Sequence, residues 1–369
     1  MQTGEIEARV IAPVPWFPST HAAFGSYASM ARTPEHETRG GLSVAHPRYA
    51  LPPLVGMTMA PLLLALGALP AARRLMSGGF DFDLIDAHYF YPDGVAAALL
   101  AKWLRRPYTI TARGSDLNLI SRFRAPRAMM RWAAGGAAAN ITVSAALANV
   151  ATSLGIERAS VHVLRNGVDA DVFIPIDRRQ ARAELGVSGE PVILSVGHLV
   201  DVKRHDVAIK ALASLVATYP GAQLAIVGEG PKRRDLEDLA ARLGVGGRVI
   251  FVGARPQNEL PQWYSAADCL ILASEREGWP NVVLEAIACG TPVVASRVGG
   301  LPEILSLPDL GIMVEPRNTD DYAVALHEVL ERPPNRQALR RHAESMGWQS
   351  TSLALVKLFR RTVDAARRS

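Results

Sequence analysis

SEREGWPNVVLEAIACGTPVVAS, Ser274 to Ser296, is the stretch whose reading decides the fold. Gly278, Trp279, Pro280 and Asn281 break any regular pattern, and Pro280 suits the first turn of a helix, where a missing N–H costs nothing. From Val282 to Ala288 the run is apolar except for Glu285, and Gly290 then stops the helix ahead of a short buried strand, Pro292 to Ala295. Strand, helix and strand in such close succession point to an α/β chain. The same reading puts Glu277 in the loop at the helix mouth and Glu285 inside an otherwise buried helix. A lone carboxylate there is costly unless it meets hydroxyls or N–H groups.

The rest of the chain repeats this alternation. Apolar runs at Arg9–Ala12, Leu84–Ala87, Tyr108–Thr111, Ile141–Val143 and Val161–Leu164 predict buried strands in a first half. A second half predicts strands at Val192–Val196, Leu224–Val227, Val249–Val252, Leu270–Leu272 and Val293–Ala295, with helices near Val207–Ala217, Arg233–Leu243 and Leu260–Ala266. Alternation of this kind implies parallel sheets covered by helices on both faces. The polar stretch Pro175 to Pro191 reads as a linker, and two doubly wound domains imply ligands at the carboxyl ends of their strands, in a cleft between them.

Composition agrees with a two-domain globular chain of 369 residues, 49% hydrophobic and 20% charged, with no disordered or low-complexity tract. The net charge of +5 comes from arginines dispersed along the chain, which argues against nucleic acid and suits anionic ligands or a membrane surface. The two cysteines, Cys269 and Cys289, fit neither a metal spacing nor a disulfide framework, so a reduced, cytoplasmic setting is expected. The opening MQTGEIEARV has acids and no apolar core, and predicts no signal peptide.

Several strand ends carry residues suited to a phosphorylated ligand. A sugar nucleotide offers hydroxyls to glutamates, and a helix N-terminus offers N–H groups to its diphosphate. SVGHLVDVKRHD, Ser195 to Asp206, ends a strand with Gly197 and presents His198, Lys203 and Arg204 before a helix. An ammonium there would stabilise the charge that grows on a departing diphosphate, although Lys203 and Arg204 alone also read as a solvated loop. VGEGPKRRDLEDLA places Gly228 and Gly230 in a turn, and VGGLPEI puts two glycines after the next strand, where backbone N–H groups approach phosphates closely. Arg255 is either near a base or a surface arginine. In the first half, TARGSDLN presents Arg113, Gly114, Ser115 and Asp116 at a strand end. Either Arg113 holds phosphate charge and Asp116 accepts acceptor hydroxyls, or the segment is a turn with Asp116 capping the next helix.

Glu-x7-Glu followed by Ala-x-Ala-Cys-Gly-x-Pro-Val-Val-Ala resembles the signature of the family 4 retaining glycosyltransferases, which have the two-domain GT-B fold, with two Rossmann-like domains facing a cleft. The resemblance implies an acceptor-side domain over 1–180, a nucleotide-sugar domain over 188–345, and a C-terminal helix, 346–369, that packs back on the first domain. It implies that Glu277 binds donor-sugar hydroxyls, Glu285 the ribose hydroxyls, and that Lys203 neutralises the leaving diphosphate. Gly197, Gly228, Gly278, Trp279, Asn281 and Val282 would line the donor. Relatives usually show Gly-Arg followed five residues later by Lys; here His198 stands at the arginine position, leaving Arg204 as the compensating charge. Relatives often have a histidine where Arg113 stands, so no catalytic histidine carries over. Leu164 to Phe173, LRNGVDADVF, resembles the family's Asn-Gly-Val-Asp segment, with Asn166 and Gly167 shaping a turn. The paired glycines usual after the first strand are missing from APVPWFPSTHAAFG, which offers His21 and Gly25 instead.

HAAFG and HPRY in the first half are similar to bacterial exopolysaccharide and cell-wall transferases, implying a glycan or lipid-linked acceptor and a nucleoside diphosphate sugar as donor, with no cofactor and no metal. Asp81-Phe82-Asp83 spells the metal-binding DxD of another fold but precedes a strand in the opposite half, and reads as a solvated turn. No GxGxxG follows the first strand, against an NAD-type enzyme. Leu54 to Leu75 is strongly apolar but interrupted by Pro61 and Pro70, which reads as a buried helix pair or an interfacial loop rather than a span. Arg122, Arg124, Arg127 and Arg131, mixed with Phe123, Met129, Met130 and Trp132, add a basic and apolar stretch. Peripheral contact at the inner face of the cell membrane is the furthest these features reach. The competing readings are a nucleotide-sugar 2-epimerase of the same fold, a sugar phosphorylase, and an inactive nucleotide-sugar-binding scaffold.

Overall fold

The computed structural model describes residues 4–51, 56–315 and 319–368. The chain divides into two compact units, Met1–Leu164 with Ser352–Ser369, and Arg165–Thr351.

The first unit opens with five short strands, β1 (Val10–Ile11), β2 (Val14–Pro15), β3 (His36–Arg39), β4 (Leu42–Ala45) and β5 (Arg48–Tyr49). They form a three-stranded sheet, β1-β4-β3, and a β2-β5 pair. Its main sheet is parallel, in the order β6 (Ile85–His88), β7 (Tyr108–Ala112), β8 (Ala139–Thr142) and β9 (Val161–Val163). β7 and β8 are buried along their whole length, as continuous apolar strands covered on both faces must be. The β3–β4 hairpin escapes the sequence pattern because His36–Arg39 is polar and mostly exposed.

The apolar stretch expected as a buried helix pair or an interfacial loop is instead one helix, Gly56–Ser77, with Pro61 and Pro70 inside it; Leu54 and Val55 lie outside the described residues. Its Leu64, Ala65 and Ala68 pack with Ala96 and Leu100 of the Val95–Leu104 helix, and this tertiary contact overrides the local cost of the prolines. By length and composition it is the one described helix apolar enough to cross a membrane. From Ser352 onward the C-terminal helix, Trp348–Arg368, belongs to the first unit, where Leu358 packs on Ala139 and Ile141.

The second unit holds a six-stranded, wholly parallel sheet: β10 (Val192–Val196), β11 (Gln223–Val227), β12 (Val249–Gly253), β13 (Cys269–Leu272), β14 (Val293–Ser296) and β15 (Gly311–Val314). Their order in space is β12-β11-β10-β13-β14-β15. Ile193, Leu224, Ile226, Ile271 and Val294 form one core with Val207, Leu212, Leu236, Tyr322 and Leu326 of the covering helices. The predicted helices appear as His205–Leu215, Arg233–Arg242 and Leu260–Ala266. Pro175 to Pro191, expected as a linker, contains a helix, Arg178–Leu185, capped by the Asp177 carboxylate, which accepts from Gln180 N at 3.0 Å. Arg178 and Arg182 fasten it to Asp268 at 2.7 and 2.5 Å. The sheet order reverses between β10 and β13, and in open parallel sheets ligands bind at the carboxyl ends of strands flanking such a switch point.

Candidate functional site

The loops leaving β10 and β13 meet at that switch point. After β10 the chain passes Gly197, makes a single turn at Asp201–Lys203, and enters the His205–Leu215 helix. After β13 it forms the Ser274–Pro280 loop and then the Asn281–Ala288 helix, which ends before Gly290 as its sequence dictates. Glu275 N donates to Val202 O at 2.9 Å, tying the loops together. Across them, Lys203 Nζ donates to Glu277 Oε1 at 2.6 Å. The Glu277 side chain is 8% exposed and that of Lys203 24%, so the pair lies at the edge of the interior, where charges interact far more strongly than in bulk water.

Glycines set this geometry. A Cβ on Gly299, whose φ is +55°, would stand 2.0 Å from Glu277 O, and Gly300 N donates to Gly278 O at 3.2 Å. The VGG segment, expected to approach phosphates, therefore seats the Glu277 loop through its own backbone. A Cβ on Gly228 would stand 1.9 Å from Gly197 O, so the GEGP turn likewise packs against the loop after β10.

Glu285 is buried, and its partner is Tyr264, whose hydroxyl donates to Oε2 at 2.8 Å. Burial pushes the Glu285 carboxyl up from its ordinary value, and the Tyr264 bond pulls it part of the way back. Tyr264→Phe leaves that carboxylate without this donor and is expected to cost about 2 kcal/mol of stability at neutral pH, read by urea unfolding. The cost should shrink in acid, where Glu285 takes up a proton.

His205, unremarked in the sequence, lies beneath the same loop. It is 3% exposed, and its Nδ1 is 2.9 Å from Ser195 Oγ on β10. Burial lowers its pKa from 6.5 to about 4, so the ring is neutral. In the unfolded chain it protonates near its ordinary value. Stability from this group is therefore complete above about pH 6.5 and falls by about 3 kcal/mol as the pH drops to 4, with no further loss below. Glu285 acts in the opposite direction, since acid relieves the cost of its burial. Urea unfolding across this range is expected to show a slope that His205→Asn reduces.

The remaining second-unit candidates are distributed less simply. His198 is exposed beside Gly197. Arg204, expected to compensate for the missing arginine, is committed elsewhere: its guanidinium binds Asp206 at 3.0 Å and Glu275 at 3.4 Å. Gly278 and Trp279 are buried, Val282 is half-buried, and exposed Asn281 accepts from Asn166 Nδ2 at 3.2 Å. Arg255 is exposed and pairs with Glu259 at 3.6 Å.

In the first unit Asp116 corrects an expectation. It is fully buried, and its carboxylate accepts from Phe90 N at 2.9 Å, Gly114 N at 2.8 Å and Arg113 N at 3.3 Å. With its oxygens occupied by backbone N–H groups, it clamps the loops after β6 and β7 instead of accepting acceptor hydroxyls. Arg113 does reach the carboxyl end of the sheet, where Nη2 donates to His88 Nδ1 at 2.7 Å. The sequence reading missed His88 and Asp86; the available signal was two polar side chains in an otherwise apolar strand. His21 is exposed in a local turn, its Nδ1 accepting from Ala23 N at 3.3 Å. Asp81 pairs with Arg106, and Asp83 with Arg367 at 2.7 Å. Among the described residues no group of three or more His, Cys, Asp or Glu is arranged to hold a metal ion.

Residues 27–172 match the description Glycosyltransferase Family 4, and residues 177–346 match Glycosyl transferases group 1. A D-inositol 3-phosphate glycosyltransferase of Corynebacterium urealyticum is 30% identical over 305 residues, covering 76% of this chain and 72% of that protein. The chain belongs to the family 4 glycosyltransferases. The protein of the same name from Saccharomonospora viridis is 37% identical over 222 residues, covering 56% of this chain and 52% of its own length. The chain thus spans about half the length of the first curated relatives it matches. Among solved structures, sucrose-phosphate synthase from Thermosynechococcus elongatus superposes with a TM-score of 0.75 at 22% identity, covering 90% of this chain and 87% of that one. Anabaena HepE in complex with UDP-glucose gives 0.72 at 22% identity, covering 97% and 92%. The fold of this family 4 member is therefore GT-B, as the sequence implied.

Proposed function

We propose that this family 4 member transfers a glycosyl unit from a nucleoside diphosphate sugar to an acceptor hydroxyl, with retention at the anomeric carbon. The observation that carries the reading is the Lys203–Glu277 pair at the switch point of the second sheet. In the structure each charge satisfies the other. A bound donor exchanges these partners: Lys203 turns to the diphosphate, whose charge grows as the glycosidic bond breaks, and Glu277 accepts from sugar hydroxyls. Glu285, held by Tyr264, is assigned to the ribose. The leaving phosphate takes the acceptor proton on the same face, so no enzyme nucleophile is invoked. HepE is solved with UDP-glucose, which makes UDP-sugars the first donors to try.

For the acceptor, a lipid-linked glycan of polysaccharide or cell-envelope synthesis is supported by the first unit's surface. Phe123 and Trp132 are exposed beside Arg122, Arg124 and Arg131, a pattern suited to peripheral contact with an anionic membrane. The names of the curated relatives favour a second reading, a phosphorylated polyol in solution.

The test is proton NMR of the reaction. An α-configured donor is expected to give an α-linked product, whereas conversion of donor alone into its 2-epimer, with no transfer, would replace this reading by the epimerase.

A further inference from the structure

Four side chains form a directed chain that runs to the carboxyl end of the first unit's parallel sheet. Thr109 Oγ1, fully buried on β7, donates to Asp86 Oδ1 at 2.7 Å. Asp86 Oδ2 is 3.2 Å from His88 Nε2, and His88 Nδ1 is 2.7 Å from Arg113 Nη2. One neutral tautomer satisfies both contacts: Nε2–H donates to Asp86 and Nδ1 accepts from Arg113. The carboxylate thereby fixes the ring, and the ring fixes the guanidinium.

The backbone around the chain is held rigidly. Tyr89, directly after His88, has φ 77°, a costly conformation for a bulky residue. The Asp116 carboxylate binds Phe90 N on one side and Gly114 N on the other, bracketing His88 and Arg113 together. Strain of this kind persists where the surroundings over-determine it, and it concentrates at functional sites. The imidazole contact aims the Arg113 guanidinium, and the neighbouring Asp86 and Asp116 carboxylates favour its charged form. A planar guanidinium so aimed, at a strand end where ligands gather, suits the paired oxygens of a phosphate.

We propose that His88 is a positioning residue, oriented by Asp86, that holds Arg113 to receive a phosphate ester carried by the acceptor. The proposal rests on the transferase reading above and names the acceptor class that reading leaves open. The phosphate belongs either to a soluble phosphorylated acceptor or to a polyprenyl-linked one.

The experiment uses the full chain saturated with the nucleoside diphosphate it binds, so that the second unit's anion site is filled. Inorganic phosphate is titrated calorimetrically in one arm. In the other, phosphatidylcholine vesicles carrying a polyprenyl phosphate are sedimented with the protein. In whichever arm binds, Arg113→Gln is expected to weaken binding at least tenfold and His88→Phe at least threefold. His88→Asn, whose side-chain oxygen can stand at the Nδ1 position and accept from Arg113, should bind more tightly than His88→Phe, a rescue that a merely structural role does not predict. The arm that responds identifies the source of the phosphate. Binding indifferent to all three variants, or absent from both arms, overturns the proposal. Failure of the native chain to bind any nucleoside diphosphate would instead sink the donor reading, and the phosphate arms are then read without it.

Discussion

Lys203→Met is expected to lower kcat by roughly 100- to 1000-fold, the scale of removing one preorganised donor from a developing anion. The ammonium is placed by the turn at Asp201–Lys203 and held 2.6 Å from Glu277, so it needs little reorganisation to meet a diphosphate. Methionine keeps the length and apolar stem and deletes only the charge. The donor KM should move much less than kcat, because the interaction is strongest when the leaving group is fully charged. Initial-rate kinetics of nucleoside diphosphate release separate the two parameters. Loss confined to KM would mean that Lys203 binds the donor without assisting its departure.

Glu277→Gln is expected to cost about 3–4 kcal/mol in kcat/KM, the value of two hydrogen bonds from sugar hydroxyls to a carboxylate, or on the order of 100- to 1000-fold. The substitution is nearly isosteric, and the loop itself is seated by Gly299 and Gly300 through backbone contacts that do not involve the side chain. Lys203 loses its counterion at the edge of the interior, so unfolding stability should fall by about 1–3 kcal/mol. Kinetic loss in a variant that is still fully folded at the assay temperature is the signature to look for. If Lys203→Met is already made, adding Glu277→Gln should cost less than it does alone, since the two groups act on one bound donor.

The second unit was legible because its chemistry and its architecture use the same residues. Apolar runs of four or five residues, each closed by a glycine or polar turn, can only be buried parallel strands here, and the Glu277-to-Glu285 spacing follows from one loop and one helix. The first unit was harder to read. β3 and β4 are short and half-exposed, so the alternation that marks a strand is absent from His36–Arg39. The helix through Pro61 and Pro70 depends on packing against Ala96 and Leu100, which local propensity does not record. Asp116 shows the remaining limit. A carboxylate at a strand end has the same spelling whether it faces a ligand or three backbone N–H groups, and only the return of the β6 loop to Phe90 decides. Tyr264 and His205 were missed for a similar reason, since each is defined by a partner on another element, Glu285 and Ser195.

The central claim is that the switch-point pair serves a nucleotide-sugar donor. Its most direct test is release of nucleoside diphosphate from UDP-, GDP- and ADP-sugars, with and without a lipid-linked acceptor extract or D-inositol 3-phosphate, comparing the native chain with Glu277→Gln. The account predicts release from one donor that requires acceptor and collapses in the variant. Measurable donor binding with no release from any of them would contradict it and leave a nucleotide-sugar-binding scaffold.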